Sequence, residues 1–340
     1  MTGGADMDAI INFIAAYIDA AWLDYVLIIG GLGLLFVGGE SLIRGAVALA
    51  LNLRLSRLVI GLTVVGVGTS APELMVSVQS ALKGSPDLAV GNVVGSNIAN
   101  ILLIMGIGAL LSPMVARGLS LKRDALIMCA VTAGLLWLGL QGVVTRDHGW
   151  IMLGIFAVYL MGVYVWEKVL TGKDTAPAGE PDSERQGSPL VALIWVAVGL
   201  LMLVSGADAL VRGAENVARG FGISEAVIGL TLVAVGTSLP ELTVTIIAAF
   251  RRQGEVSLGN LIGSNIFNIL GILGVTACIA PLRIAPQMAQ IDMPVALGVA
   301  ALVLLIILFA QKVGRLSGLL FLGLYAAYMA WLFVGPQSLP

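Results

Sequence analysis

Long apolar segments along the whole chain constrain the fold more than any other feature of this sequence. A helix needs about 20 mostly apolar residues to cross a bilayer, and ten segments of the 340-residue chain reach that length. Only 11% of the residues are charged, about half of the fraction found in soluble domains. The sequence therefore predicts an all-α polytopic membrane protein with ten transmembrane helices in the lipid bilayer. These lie at approximately 25–50, 58–82, 88–112, 124–144, 150–170, 189–216, 226–250, 256–280, 291–311 and 316–335.

A polar stretch near the middle of the chain divides these helices into two sets of five. It reads TGKDTAPAGEPDSERQGSP, starts at residue 171 and is rich in Pro, Gly, Ser and charge, as linkers are. We expect a first five-helix repeat at 25–170, a linker at 171–188 and a second five-helix repeat at 189–340. Residues 1–24 carry four Asp and no Lys or Arg, which is unlike a signal peptide, and are predicted to be an amphipathic or loosely ordered lead-in.

The two halves carry the same motifs in the same order. GLTVVGVGTSAPEL at 61 matches GLTLVAVGTSLPEL at 229, GNVVGSNIANIL at 91 matches GNLIGSNIFNIL at 259, and ESLIRGA at 40 matches DALVRGA at 208. All three pairs are 168 residues apart, and the α-repeats 61–106 and 229–274 share 24 of 46 residues. Because five is odd, the second copy must enter the membrane from the opposite side. Two inverted repeats are therefore predicted, and transporters built in this way bind ions near the midplane, where the repeats meet.

The first shared motif places a helix breaker and a carboxylate inside a membrane segment. In GTSAPE, Pro72 has no N–H to donate to the carbonyl of Gly68. Carbonyls freed in lipid are tolerated only where they line a cavity or lie against protein. The Thr69 and Ser70 hydroxyls and the Glu73 carboxylate add oxygens, which predicts half of a site for a hard cation. A structural kink would explain a single Pro-Glu pair, but not its repetition. The second copy, GTSLPE, supplies Thr237, Ser238 and Glu241.

The second shared motif places a polar stripe on an otherwise apolar helix, since its polar residues recur every four positions and share one face. Those lying near the depth of the glutamates are predicted to line the site: Ser96, Asn100, Ser264 and Asn268. For four further asparagines two interpretations stay open, as functional groups or as hydrogen-bonding contacts that hold membrane helices together. These are Asn92, Asn97, Asn260 and Asn265.

Brought together about a pseudo-twofold axis, the two motifs predict facing glutamates surrounded by hydroxyls, amides and carbonyls. Ca²⁺ takes six to eight oxygens at about 2.3–2.6 Å and suits such a site. Na⁺ has a similar radius and can use the same oxygens, whereas the absence of soft ligands disfavours Zn²⁺ and Cu⁺. The one histidine, His148, lies in a polar connection, and Cys129 and Cys278 lie in apolar runs. We therefore expect that the protein is not an enzyme and uses no cofactor, and that the ions bind as transported substrates.

The paired motifs also resemble those of a known family. GTS-x-PE followed about 20 residues later by GN-x-x-GSN-x-x-N, twice, is similar to the α-repeats of the sodium/calcium exchanger family, in its prokaryotic form, within the calcium/cation antiporters. The resemblance covers nearly the whole chain. It implies a secondary antiporter that exchanges Na⁺ for Ca²⁺ by alternating access.

The resemblance also assigns roles to matching positions. It implies that Glu73 and Glu241 are the shared carboxylates of a central Ca²⁺ site, lined by Asn100 and Asn268. The hydroxyls of Thr69, Ser70, Thr237 and Ser238 would supply oxygens to Na⁺ and Ca²⁺. The backbone carbonyls of Gly66 and Ala234, completed by Ser96 and Ser264, would form outlying Na⁺ sites.

Departures from the family pattern bear on the coupling ion. Relatives that also move K⁺ resemble this chain but carry Asp where it has Asn268, so the resemblance argues against K⁺ dependence. The proton-coupled branch tends to have GN-x-x-EL in place of TS-x-PE, which favours Na⁺ over H⁺ here. A Ca²⁺/H⁺ exchanger on the same scaffold is the alternative, and a cation channel is a more distant one.

The distribution of basic residues predicts the orientation in the membrane. Alternate connections hold 13 and 5 of the 18 Lys and Arg residues, and the richer side is expected to be cytoplasmic. Both termini then face outward and the linker faces inward, in a prokaryotic inner membrane. The net charge of −2 argues against a nucleic-acid partner. A monomer is the working expectation. Glu40 with Arg44, and Asp208 with Arg212, are predicted i, i+4 ion pairs.

Overall fold

The computed structural model describes residues 3–170, 188–221 and 234–334. The linker at 171–187 and the start of the predicted helix 226–250 lie outside these ranges. In the first half the helices are α1 Gly3–Leu53, α2 Arg57–Thr69, α3 Ala71–Leu82, α4 Pro86–Leu111, α5 Leu119–Leu140 and α6 Arg146–Lys168. In the second half they are α7 Pro189–Gly220, α8 Ala234–Thr237, α9 Leu239–Phe250, α10 Gly254–Ile279, α11 Met288–Ala310 and α12 Arg315–Val334.

Capping residues and prolines mark several helix starts. The Ser56 side chain accepts a hydrogen bond from the Val59 N–H at the start of α2, and Thr145 forms a capping box with His148 at the start of α6. Pro86 and Pro189 stand in the first turns of α4 and α7, where a missing N–H costs nothing. Helix α1 begins at Gly3, within the predicted lead-in 1–24, and continues without a break to Leu53.

Eight helices within the described ranges are long and apolar enough to cross a bilayer, and the bent pair α2–α3 makes a ninth. Helix α9, equivalent to α3, is a shorter apolar helix. In α4 and α10, 72% and 83% of an 18-residue apolar window is buried within the protein, against 11% in α12. The helices that carry the GN-x-x-GSN motifs are therefore the centre of the bundle.

Four short strands were not expected for an all-α chain. Strand β1 (Met114–Val115) pairs antiparallel with β4 (Lys312–Val313), and β2 (Val143–Val144) pairs antiparallel with β3 (Leu282–Arg283). Each ladder joins one strand from each half of the chain. The offset of 168 residues carries β1 onto β3 and carries β4 to within one residue of β2. The ends of the bundle therefore repeat the internal symmetry of the sequence closely.

Helices α1 and α7 pack closely along much of their length, through glycines. A Cβ atom at Gly38 would lie 2.9 Å from the backbone nitrogen of Leu203, and one at Gly199 would lie 2.6 Å from that of Leu42. Small residues allow this approach, which drives association of membrane helices in the absence of a hydrophobic effect between them. The contact repeats with the halves exchanged. A Cβ atom at Gly31, the position equivalent to Gly199, would lie 2.7 Å from the backbone nitrogen of Leu210.

The buried apolar side chains form two clusters. The larger surrounds α4 and α10, with residues such as Ile98 and Ile266, and includes no residue of α1 or α7. The smaller joins α1 and α7, through residues such as Leu42 and Leu203, to parts of α2, α9 and α10. The α1–α7 pair thus packs in the second cluster and contributes nothing to the larger one.

Candidate functional site

Both GTS-x-PE motifs interrupt a helix. Helices α2 and α3 meet at a 42° bend with Ser70 between them, and Ser238 separates α8 from α9 in the same way. Pro72 and Pro240 stand in the first turn after each break, so the interruption falls just before the proline, where the helix loses its hydrogen bond. Glu73 and Glu241 therefore lie in the first turns of α3 and α9 and are fully buried.

Each buried glutamate is held by a serine from the opposite half of the chain. The Ser70 hydroxyl donates to Glu241 Oε1 over 3.0 Å, and the Ser238 hydroxyl donates to Glu73 Oε1 over 3.3 Å. Burying an ionised carboxylate without partners costs several kcal/mol, so these bonds support both groups. The pairing brings the two predicted half-sites together into one.

The Gly66 carbonyl, Thr69 and Ser264 complete this side of the site. The Ser264 hydroxyl lies 3.1 Å from the Gly66 carbonyl oxygen and 3.5 Å from Glu241 Oε1. The Thr69 hydroxyl donates to Asn260 Oδ1 over 3.0 Å. Helix α10 comes this close to α2 because a Cβ atom at Gly66 would lie 3.0 Å from the Ser264 nitrogen.

Asn100 and Asn268 lie at the centre of α4 and α10, where each helix changes to a π-helical turn. These turns span Asn100–Met105 and Asn268–Leu273. Such local widening of an α-helix occurs frequently at functional sites. Both side chains are fully buried, and each amide nitrogen donates to an asparagine of the other half.

Four buried oxygens of the site accept no hydrogen bond from the described residues. They are Glu73 Oε2, Glu241 Oε2, Asn100 Oδ1 and Asn268 Oδ1, two from each half and equivalent in pairs. An unpaired buried acceptor costs about 1–3 kcal/mol, and more when it is charged. Because all four are acceptors and two are carboxylates, a cation that prefers oxygen ligands is the group that satisfies them.

The remaining three predicted site residues are Thr237, Ser96 and Ala234. Thr237 lines a cavity, and Ser96 is buried one turn before Asn100 on α4. Ala234 begins α8, and residues before it lie outside the described ranges. The contact between Ser96 and the Ala234 carbonyl, equivalent to that of Ser264 with Gly66, therefore stays a prediction. Within the described ranges no cluster of three or more His, Cys, Asp or Glu side chains occurs.

A cavity of about 210 Å³ approaches the site from one side of the molecule. Its walls come from α3 and α7, and it reaches Gly236 and Thr237 at its inner end. This is the side on which α3 ends and α4 begins, which the charge distribution predicts to be extracellular.

The structure defines the contacts of the asparagines for which the sequence left two interpretations open. Asn92 donates to the Glu73 carbonyl oxygen over 3.1 Å and to the Ser77 hydroxyl over 3.0 Å, so it supports the helix turn that carries the glutamate. Asn97 and Asn265 contact Asn268 and Asn100 across the interface between the halves. The repetition of the GSN motif was the available signal, but it does not tell a ligand from a residue that holds one.

Comparison with known proteins agrees with this geometry. The family model described as "Sodium/calcium exchanger protein" matches residues 23–165 and 191–334. The putative antiporter CaxA of Alkalimonas amylolytica is 38% identical over 319 residues, covering 91% of this chain and 98% of that protein. The sodium/calcium exchanger MaX1 of Methanosarcina acetivorans is 31% identical over 345 residues, covering 92% and 99%. A solved structure of the sodium–calcium exchanger NCX_Mj aligns with a TM-score of 0.80 at 33% identity, covering 91% of this chain and 99% of that one.

The fold and the site together define a multi-pass integral membrane protein with a buried, oxygen-lined site between its two halves. The matched family supplies the more specific assignment, and the resemblance noted in the sequence is confirmed. The chain belongs to the sodium/calcium exchanger family.

Proposed function

We propose that this protein exchanges Na⁺ for Ca²⁺ across the membrane by alternating access. In this proposal ten helices form two inverted repeats, both termini lie outside, and the 171–188 linker is cytoplasmic. The observation that carries the proposal is the pair of buried glutamates, each bound by a serine of the other half and each with one unpartnered oxygen. Membership in an exchanger family supports it, as do NCX_Mj structures soaked with Na⁺, Ca²⁺ or Sr²⁺.

The proposed central site takes Ca²⁺ between Glu73, Glu241, Asn100 and Asn268. Two carboxylates balance the charge of one Ca²⁺, and the amide oxygens extend a shell that for Ca²⁺ has six to eight oxygens. Na⁺ occupies this region and two outlying sites. One is built from the Gly66 carbonyl and Ser264, and the other from the Ala234 carbonyl and Ser96. The remaining ligands are the hydroxyls of Thr69, Ser70, Thr237 and Ser238.

Competition for shared oxygens gives the exchange. When Ca²⁺ occupies the centre, it uses both carboxylates, so Na⁺ binding there is displaced. Several Na⁺ ions on the central and outlying oxygens displace Ca²⁺ in turn. Because two buried carboxylates without a cation are costly, the occupied forms are the ones able to change conformation, which couples the two fluxes.

The decisive experiment measures ⁴⁵Ca²⁺ uptake into proteoliposomes loaded with Na⁺ or with choline, at equal pH on both sides. We expect uptake only with internal Na⁺. Uptake that ignores Na⁺ but follows an imposed pH step would instead identify a Ca²⁺/H⁺ exchanger, with the same glutamates carrying protons. Flux independent of either gradient would indicate a channel.

Glu73→Gln and Glu241→Gln test the site itself. Each change is close to isosteric and removes one carboxylate, which for a buried charge partner costs about 2–5 kcal/mol, or at least about thirtyfold in affinity. We expect Na⁺-driven uptake to fall to background in both variants. Asp87→Asn is the control, because Asp87 is an exposed acid in the first turn of α4. Wild-type flux in either glutamine variant would contradict the proposal.

A further inference from the structure

Four asparagines hydrogen-bond to one another between α4 and α10, and we term them the amide belt: Asn97, Asn100, Asn265 and Asn268. All four are buried. The Asn97 amide donates to the Asn265 carbonyl oxygen over 3.2 Å, and the Asn265 amide donates to the Asn97 carbonyl oxygen over 3.4 Å. Asn100 donates to Asn265 Oδ1 over 3.1 Å, and Asn268 donates to Asn97 Oδ1 over 2.9 Å. The Asn265 amide also lies 3.7 Å from Met128 Sδ.

The two backbone carbonyls determine which way every amide in the belt points. A carbonyl oxygen only accepts, so Asn97 and Asn265 must each turn the Nδ2 group toward the opposite backbone. Their Oδ1 atoms then face Asn268 and Asn100 and require a donor from each. Asn268 and Asn100 must therefore use Nδ2 in the belt, which leaves their Oδ1 atoms as the unpartnered acceptors of the site.

We propose that Asn97 and Asn265 are positioning residues for the transported cation. Asn97 orients Asn268, and Asn265 orients Asn100, so that each ligand presents its oxygen to the ion. A reversed amide would present an NH₂ group, whose hydrogens repel a cation. This inference rests on the proposed function of the site, and it separates Asn97 and Asn265 from residues that only hold helices together.

The positioning residue and the ligand that it orients come from different halves of the chain, and this pairing can be tested. Each positioning residue belongs to one half of the chain and acts on a ligand in the other half. Asn265 should therefore matter only while Asn100 is present, and Asn97 only while Asn268 is present. A residue that merely joined α4 to α10 would have the same effect whichever ligand was removed.

The experiment is a double-mutant cycle on Ca²⁺ affinity, measured by isothermal titration calorimetry on the purified full-length protein. We expect Asn265→Ala to weaken Ca²⁺ binding about three- to tenfold, as for loss of one orienting hydrogen bond. On an Asn100→Ala background the same change should have no further effect, whereas on an Asn268→Ala background it should keep its full effect. Equal losses on both backgrounds would overturn the inference.

The internal symmetry supplies a second cycle if Asn265→Ala does not fold. Asn97→Ala should weaken binding by a similar factor, lose its effect with Asn268→Ala and keep it with Asn100→Ala. Thr132→Val is a matched control, because the buried Thr132 hydroxyl donates only to the Met128 carbonyl of its own helix. It should leave Ca²⁺ affinity unchanged.

Asn265→Asp separates positioning from packing by the sign of its effect. Aspartate keeps the acceptor that faces Asn100 but loses the donor to the Asn97 carbonyl. We expect Ca²⁺ affinity at or above the wild-type value, in contrast to Asn265→Ala. If the interhelical contact were the whole role, the buried charge would make aspartate the worse substitution, and that result would reject the inference. A wild-type protein that binds neither Ca²⁺ nor Na⁺ would instead reject the proposed function.

Discussion

The two sides of the central site are built from equivalent residues but packed differently. On one side α3 and α7 border a cavity of about 210 Å³. On the other, the equivalent helices α9 and α1 are in contact, since a Cβ atom at Gly39 would lie 2.5 Å from Ile247 Cδ1. Positions 39 and 247 correspond to Ala207 and Gln79, both of which line the cavity. The two halves therefore have equivalent sequences, but the approach to the site is open on one side and closed on the other.

The exposure of single side chains follows the same division. Met75 is 56% exposed and Gln79 is exposed, whereas Ile247 is 5% exposed. Near the closed side Glu40 forms ion pairs with Arg44 and with Arg251, so α1 is tied to the end of α9. On the open side Asp208 pairs with Arg212 on its own helix. Lys83, the counterpart of Arg251, forms no ion pair within the described residues.

The difference bears on the proposed alternating access. Under that proposal, two equivalent halves imply a second conformer in which the halves exchange their packing. In that conformer α3 and α7 would close as α9 and α1 do here. We expect α1 and α7 to move in that change, because neither helix contributes a residue to the larger cluster around α4 and α10.

A disulfide across the cavity gives the largest expected effect. Gln79→Cys with Ala207→Cys, in a chain carrying Cys129→Ala and Cys278→Ala, places two thiols where the closed side has Ile247 against Gly39. A disulfide needs Cβ atoms about 3.8 Å apart, and we expect the exchanged packing to bring the two positions to that distance. We expect oxidation to stop ⁴⁵Ca²⁺ exchange and reduction to restore it.

Each single-cysteine variant of this pair is the control and should keep its activity under oxidation. Undiminished exchange in the oxidised double variant, with the disulfide verified by mass spectrometry, would mean that this cavity does not close during transport.

Thiol labelling should detect the open and the closed side directly, and its effect on the measured rate is expected to be smaller than that of the disulfide. In the same cysteine-free background, Gln79→Cys should react readily with a membrane-impermeant maleimide added from the open side. Ile247→Cys should react about 10- to 1,000-fold more slowly with reagent on the opposite side, because a minor conformer is about 0.1–10% populated. The rates are measured in oriented vesicles.

This labelling also tests the predicted orientation. Reaction of Gln79→Cys from the cytoplasmic face would reverse the topology drawn from the Lys and Arg distribution. Equal labelling rates at the two positions would remove the distinction between an open and a closed side.

Much of the site could be predicted from the sequence because duplication marks it twice. The two GTS-x-PE motifs identified Glu73 and Glu241, and the structure places both in first turns after a helix break. The motifs could not predict which side chain forms a hydrogen bond with each glutamate. Ser70 is three residues from Glu73 in the chain yet bonds Glu241, because the contact depends on how the halves face one another.

Less of the fold than of the site could be predicted from the sequence. Apolar length predicts spans well, but a two-residue strand such as Met114–Val115 has no periodicity to detect, and it forms only because the ends of two helices meet. The asymmetry between the sides is also absent from the sequence. Equivalent residues such as Gln79 and Ile247 differ in polarity, but which approach is open is a property of one conformer.

The ion pairs give the smallest expected effect and the most specific one. Glu40 and Arg251 are partly exposed, with side chains 21% and 43% accessible, and such pairs contribute about 0.2–1 kcal/mol. Arg251→Gln should therefore destabilise the closed packing and raise the labelling rate of Ile247→Cys about 1.4- to 5-fold. Lys83→Gln should lower that rate by a similar factor, since Lys83 and Asp208 would pair only in the exchanged conformer.

The control is Arg252→Gln, which should leave the labelling rate unchanged, because Arg252 lies beside Arg251 but forms no ion pair in the described chain. Shifts of the same sign from Arg251→Gln and Lys83→Gln would show that the two pairs do not alternate.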